Sequence, residues 1–419
     1  MAENYTQQRM NHFLAISQHR WYPWIICISG LFILLVINGL TTTVITVFDK
    51  SLIDEFHWTH SELKLRDSIP NAVAFSLIFF SGYFIDKYKV KRIMLVGTAI
   101  LSIALLSYSF ISSKYEAYFL HFLFGLAYTT AGSVATIILV SSWFKESKGL
   151  ALGITLAGTS LGGFIFPSLI GHWIDTVGWR QAFTYLSVIP TVLFFYILLV
   201  IRSSPNETAN TTDTNKKNEN NGLSYQEATR TRTFWLICIS GFLTFYSVVG
   251  IVSNTVLHCI HLGYNEQTAR LSLTMYYGVA FMGKLVLSYL SDFIDTFLVF
   301  TLCCIGLTVG ALGFASMIPW LVFPMTALIA LSWGGIYSLY SILTLKTFGL
   351  KAAGKINGTI NMFESAGAFL GPIVMATIFD YTSSYQMAFL ASAFVMAIAS
   401  VFSLQFKRLK PIKSPDIIG

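Results

Sequence analysis

The chain has 419 residues, of which 54% are apolar and 15% aromatic while only 11% are charged, far below the roughly 25% charged fraction of ordinary soluble domains. That composition excludes a soluble globular domain and places the chain in lipid. The net charge of +7 does not point to nucleic acid, because basic residues are needed to fix membrane topology.

Apolar runs near the roughly 20 residues that a helix needs to cross a hydrocarbon core of about 30 Å recur along the chain. Twelve spans are expected, at 24–48, 68–84, 93–112, 117–142, 150–171, 179–201, 233–257, 268–290, 297–316, 320–345, 356–379 and 386–406. The first is too long for a signal h-region and lacks a small-residue cleavage site, so it reads as a retained span. Between the sixth and seventh, residues 202–232 are polar, low in complexity and too poor in apolar residues to bury a core, as a flexible linker would be. The chain thus divides into an N-terminal tail (1–20), a six-helix bundle (21–201), the linker (202–232), a second six-helix bundle (233–406) and a C-terminal tail (407–419). The expected fold class is an all-α membrane protein, twelve transmembrane helices in two pseudo-symmetric six-helix bundles, expected as a monomer in a lipid bilayer.

Of the 27 lysines and arginines, 20 fall on the side of the termini, 6 on the other, and one, Lys284, inside the eighth span. This asymmetry puts both termini in the cytoplasm, and a bacterial inner membrane is the expected location. The Asn-x-Thr triplets of the linker would then never meet glycosylation machinery. Five cysteines (Cys27, Cys238, Cys259, Cys303, Cys304) lie in or near apolar runs without metal-type spacing, so no metal or other cofactor is expected.

The halves echo each other. Trp24 to Gly30 matches Trp235 to Gly241 at an offset of 211, while Trp58 to Glu62, Ser81 to Asp86 and Trp179 to Phe183 match Tyr264 to Thr268, Leu287 to Asp292 and Tyr385 to Phe389 at 206. Four matches in chain order imply parallel repeats with a substrate site between them near the midplane.

The loop after the second span reads Gly82-Tyr-Phe-Ile-Asp86-Lys-Tyr-Lys-Val-Lys91-Arg92. A carboxylate at one helix end and a basic cluster opposite can lock one conformation and release another. This stretch resembles the Gly-x-Leu-x-Asp-Arg-x-Gly-x-Arg-Arg signature of the major facilitator superfamily, with Lys89 where that family has Gly, which suggests a looser turn. The resemblance makes Gly82, Asp86, Lys91, Arg92 and Asp292 the conformational switch. Trp143-Phe144, Gly149 to Gly153, Ala157 to Gly162, Gly178 to Arg180, Phe348-Gly349 and Gly371-Pro372 resemble the monocarboxylate-transporter and oxalate:formate-antiporter branch. Small residues such as Gly158 and Gly162, or Gly367 and Gly371, at four-residue spacing let helices approach closely.

Apart from helix-end aspartates, only Lys284 and Glu364 are expected well inside spans, where a charge costs on the order of 2.5 to 3.5 kcal/mol even on the lenient insertion scale. Lys284 is eight residues before Asp292 and Glu364 eight after Ile356, so each sits about 12 Å from the cytoplasmic end of its helix. The resemblance implies that Lys284 occupies the place of an arginine that binds the substrate carboxylate, and that Glu364 stands where oxalate-transporting members carry a basic residue. A static Lys284 to Glu364 salt bridge is the plain structural alternative. Thr43 stands where animal monocarboxylate transporters carry a lysine linked to proton coupling. Tyr128 and Tyr337, on spans that line the cavity in that superfamily, lead the further substrate-binding candidates, with Asn38 and Asn254. Asn71, His121, Tyr276, Tyr277, Tyr340, Asn357 and Asn361 are other polar residues that could face a cavity. His258 and His261 are expected in a solvated mouth.

No nucleophile with a base, no metal cluster and no phosphate-cradling loop is found, so neither an enzyme nor an ATP-driven pump is expected. The expected function is secondary active transport of a small organic anion, a monocarboxylate first, coupled to protons through Glu364 or to a counter-substrate. An amino acid, a carboxylate-type siderophore or drug efflux stay open as alternatives.

Overall fold

The computed structural model describes residues 21–144, 148–202, 222–349 and 351–406, with the side chains of residues 43, 78–87, 148–149, 292, 341, 353 and 406 outside the description. Among the described residues eleven helices are long and apolar enough to cross a membrane. The second span, His60–Tyr88, completes the set of twelve and is longer than most, at 29 residues. Large apolar side chains such as Phe119, Val192, Leu302 and Phe394 remain exposed on the outside of the bundle, as lipid-facing positions should.

Pairwise packing repeats between the halves. Span 1 packs on span 5, span 2 on span 4 and span 3 on span 6, just as span 7 packs on 11, 8 on 10 and 9 on 12; the halves meet where span 2 packs on 11 and span 5 on 8. Small residues set the closest approaches. A methyl group on Gly158 or Gly162 would lie 2.2 or 2.3 Å from the carbonyl oxygens of Leu31 and Leu35, and one on Gly367 or Gly371 would lie 2.2 or 2.0 Å from those of Phe242 and Tyr246. Leu31 and Phe242, like Leu35 and Tyr246, are 211 residues apart, the offset of the first sequence echo.

The aromatic cores repeat as well. Tyr108 stacks on Phe183 at 4.2 Å and Trp179 meets the same ring edge-on. In the second half Phe314 and Tyr385 take those places around Phe389, each 206 residues further on. His258 stands where Phe48 stands in the first half, 4.7 Å from the Phe389 ring. It is fully buried, so the solvated mouth expected for it is corrected; His261 alone is exposed. The cause is the repeat itself, which turns position 258 into the aromatic core.

Two spans depart from regular helix. Span 1 is α-helical over Tyr22–Asn38, then takes a π-helical turn at Gly39–Thr43 and a 3-10 turn at Ile45–Phe48 before the short helix Asp49–Phe56. Such insertions concentrate at functional sites. Span 4 breaks at Gly132, between Lys114–Ala131 and Ser133–Trp143.

Span 2 begins at His60 rather than at residue 68, and this corrects the charge inventory. Lys64 and Arg66 are not in a solvated loop: with Asp49 they are wholly buried, and Asp67 nearly so. Lys64 binds both Asp49 and Asp67; Arg66 donates to Asp49 at 2.7 Å and to Asp67 at 2.6 Å, and its remaining amine reaches the Tyr108 hydroxyl at 3.4 Å. Two cations and two carboxylates therefore neutralise one another inside the first half. Nearby, Glu55 ties the short helix to span 6. Burial would raise its carboxyl pKa, but hydrogen bonds from Arg180 and Trp179 outweigh that and hold it below the usual value.

Lys89, in the turn between spans 2 and 3, has φ 63°. The turn keeps the backbone that suits glycine, so it is not loosened by the lysine; the lysine is strained into it.

Candidate functional site

The seam between the halves encloses two adjoining cavities of about 170 and 190 Å3. Asn71, Tyr128, Phe245 and Ala368 line both, so the chambers share a wall. The first lies beside the distorted part of span 1, with Thr42, Thr46 and Asp67 on one side and Phe245, Tyr276, Tyr277 and Trp333 on the other. The second is bounded by Thr129, Ser133, Tyr337, Asn361, Glu364 and Ser365. Lining therefore comes from both halves, as expected for parallel repeats.

Lys284 stands behind this wall. Its Nζ donates to Thr159 Oγ1 at 2.9 Å, across the seam between span 8 and span 5, and lies 4.5 Å from the centre of the Tyr337 ring. Tyr337 thus has Lys284 on its ring and the second chamber beside it. Gly283 and Gly334 make room: a methyl on Gly334 would fall 2.7 Å from the Lys284 backbone nitrogen. Tyr277 lies over Gly163 in the same seam, where a methyl would meet the ring at 2.3 Å.

Glu364 sits over Gly241 of span 7, whose added methyl would lie 3.2 Å from the glutamate Cγ. It does not pair with Lys284, and among the described residues no basic group lies within 4.0 Å of its carboxylate. The static salt bridge is absent in this conformation; Lys284 instead contacts Thr159 and Tyr337. Among the described residues, a cation without a carboxylate partner and a carboxylate without a basic partner thus flank one cavity.

The other candidates divide. Tyr128 and Tyr337 line the cavity, as do Asn71, Tyr276, Tyr277 and Asn361. Asn38 is buried beside Tyr128. Asn254 is fully buried, donates to the Gly250 carbonyl of its own helix at 2.9 Å and lines neither chamber. His121 likewise bonds to Ala117 of its own helix, and Tyr340 donates to Ser240. Asp67, Thr46, Phe245, Trp333 and Thr159 were not singled out from sequence; four are uncharged residues within apolar helices, and Asp67 looked like part of a loop. The basic end of the Gly82 to Arg92 motif is visible in Lys91, which donates to the Leu198 carbonyl at 2.9 Å, and in exposed Arg92. The side chains of Asp86 and Asp292, and Gly82 with its surroundings, lie outside the description, as does that of Thr43.

Away from the cavity, at the face opposite the termini, two related contacts join the halves. Asp380 at the end of span 11 accepts from the backbone nitrogens of His60 (3.0 Å) and Ser61 (2.8 Å) at the start of span 2, a carboxylate on a helix N-terminus. Asp175 at the end of span 5 binds Arg270 near the start of span 8 at 2.7 Å.

Comparison with known proteins matches the chain, over residues 31–372 and 261–417, to a family described as the Major Facilitator Superfamily. It is 24% identical to an MFS-type transporter, opdF, of Penicillium oxalicum, in an alignment covering 57% of this chain and about half, 54%, of that protein. It is 25% identical to an oxalate:formate antiporter of Oxalobacter formigenes, over 76% of this chain and 77% of the relative. Monocarboxylate transporter 12 of Rattus norvegicus is 21% identical over 95% of this chain and 88% of its own. Among solved structures, an inward-facing, occupied bacterial homolog of the human lysosomal transporter Spinster superposes with a TM-score of 0.73 at 14% identity, covering 93% of this chain and 98% of that one. The nucleoside transporter NupG gives 0.74 at 12% identity, over 91% and 99%. At these identities the two structures speak for the fold alone.

Proposed function

Because the chain belongs to the major facilitator superfamily, and is a membrane transporter rather than an enzyme, we propose that it carries a small organic acid by alternating access, with a proton as the coupling ion. The observation behind this reading is Lys284. A cation inside the membrane with no carboxylate of its own within 4.0 Å, among the described residues, leaves a charge that an anionic solute would complete. Glu364 supports the coupling part, since a buried carboxylate without a basic partner is neutral at least cost when it takes a proton. Kinship with the oxalate:formate antiporter and monocarboxylate transporter 12 points to the same class of solute.

The cycle follows from the repeat. Spans 5 with 8 and 2 with 11 are the seams along which the halves rock, and Lys284 bound to Thr159 spans one of them. With the termini in the cytoplasm, as the basic residues favour, 20 on that side against four on the other once Lys64 and Arg66 are counted with span 2, the Asp380 and Asp175 contacts close the outer face. The Gly82 to Arg92 motif and Asp292 would secure the opposite face. Relatives in fungi, a bacterium and a mammal do not single out the bacterial inner membrane expected above.

Uptake into proteoliposomes tests the reading. A panel of carboxylates, amino acids and siderophores is offered with an inwardly directed proton gradient. Accumulation of a carboxylate, abolished by a protonophore, is expected. Accumulation confined to amines or neutral solutes would overturn it.

A further inference from the structure

We propose that the first chamber is an aryl slot, so that the preferred substrate is an aryl or heteroaryl monocarboxylate rather than formate, oxalate or a short aliphatic acid. This rests on the organic-acid reading above and names the part of the molecule that reading leaves open.

Volume makes the first case. Together the two chambers fall at the small end of the about 300 to 1,000 Å3 typical of small-molecule sites, while one water needs only about 10 to 15 Å3 of such space. A one-carbon or two-carbon acid would leave most of it to water. A single ring with a short acid arm would use both chambers.

The distribution of lining makes the second. On the second half's side the first chamber is walled by Phe245, Tyr276, Tyr277 and Trp333. Phe245 and Trp333 meet edge-on at 4.7 Å and Tyr276 and Tyr277 at 5.0 Å, so faces and edges are both on offer to a further ring. Among the described residues the first half lines the chamber with one ring, Tyr128, beside Thr42, Thr46, Asp67 and Asn71. The hydroxyl of Thr46, a residue of that lining, is buried without a partner.

Charge orients the solute. Asp67 is the charged residue in the first chamber, and its oxygens are taken by Lys64 and Arg66, so that chamber does not call for an amine. Lys284 is at the far side, on the Tyr337 ring that borders the second chamber. A ring lying against the Phe245 and Trp333 wall therefore directs its carboxylate toward Tyr337 and Lys284.

The test is equilibrium binding to the purified full chain in detergent, with indole-3-acetate, acetate, formate, oxalate and tryptamine as probes. Indole-3-acetate is expected to bind at least about tenfold more tightly than acetate, formate or oxalate. Trp333→Ala should cut the ratio of indole-3-acetate to acetate affinity about tenfold, and Trp333→Phe should restore most of it. Equal or tighter binding of the small acids overturns the proposal, as does a Trp333→Ala protein with an unchanged ratio or a chain that binds neither class. Preference for tryptamine over indole-3-acetate would keep the aryl wall and refute the organic-acid reading, so the two failures are distinguishable.

Discussion

Lys284 of the eighth span and Thr159 of the fifth meet across the seam of the two halves, amine to hydroxyl at 2.9 Å. In the proposed cycle this hydrogen bond spans the surface along which the halves shear. A solute that draws the amine away from Thr159 both binds and loosens the seam, which links occupancy to motion through one side chain.

In the proposed cycle the proton step belongs to Glu364. Glu364→Gln keeps size and removes the charge, so solute exchange between equal concentrations on both sides should persist while accumulation driven by a pH gradient disappears. Counterflow and gradient-driven uptake measured on the same proteoliposomes check this. Gradient-driven accumulation at the wild-type level would assign the proton elsewhere.

The Asp49, Lys64, Arg66 and Asp67 cluster is balanced, so deleting one member strands a charge in the interior. Arg66→Met should destabilise the folded chain by about 3 to 5 kcal/mol, the usual cost of breaking a buried pair. Combining it with Asp49→Asn should recover part of that loss, since two charges leave together. Thermal unfolding in detergent reads both; additive losses would show that the four groups do not act as a unit.

On the proposed cycle, the contact of Asp380 with the backbone of His60 and Ser61 closes the outer face. Asp380→Ala combined with Asp175→Ala should open it. A cysteine placed at Ser253, which lines the first chamber, should then react several-fold faster with a membrane-impermeant thiol reagent applied from that face. An unchanged rate would mean that other packing closes it.

Lys89 keeps a glycine-type backbone at φ 63°. Replacing it with glycine should therefore stabilise the chain by about 1 kcal/mol relative to Lys89→Ala, which removes the charge but keeps the strain. Equal unfolding temperatures for the two variants would deny the strain.

Much of the fold was legible because its determinants are local or repeated. Gly158, Gly162, Gly367 and Gly371 declare close helix contacts by spacing alone, and the partners they touch, Leu31, Leu35, Phe242 and Tyr246, keep the offset of the first echo. Lys64, Arg66 and Asp67 were misread because hydropathy scores each residue by its own polarity. Their burial depends on Asp49, brought to them by the distorted end of span 1, and a hydropathy average, which adds residue by residue, counts each of these charges as a cost and not as a partner. His258 was misread for a related reason: its aromatic neighbours come from spans 9 and 12. Of the site, Lys284, Glu364, Tyr128 and Tyr337 stood out as charged or polar residues in apolar helices. Phe245 and Trp333 carry no such contrast, and only the cavity reveals them.

The most direct test compares a transported acid with its uncharged amide. Binding of the pair is measured on the wild-type chain and on Lys284→Met. The wild type should favour the acid by at least about tenfold, as a charge-assisted contact warrants, and Lys284→Met should bring the ratio close to one. A Lys284→Met protein that still prefers the acid to the wild-type extent would contradict the assignment of Lys284 as the group that receives the substrate's charge.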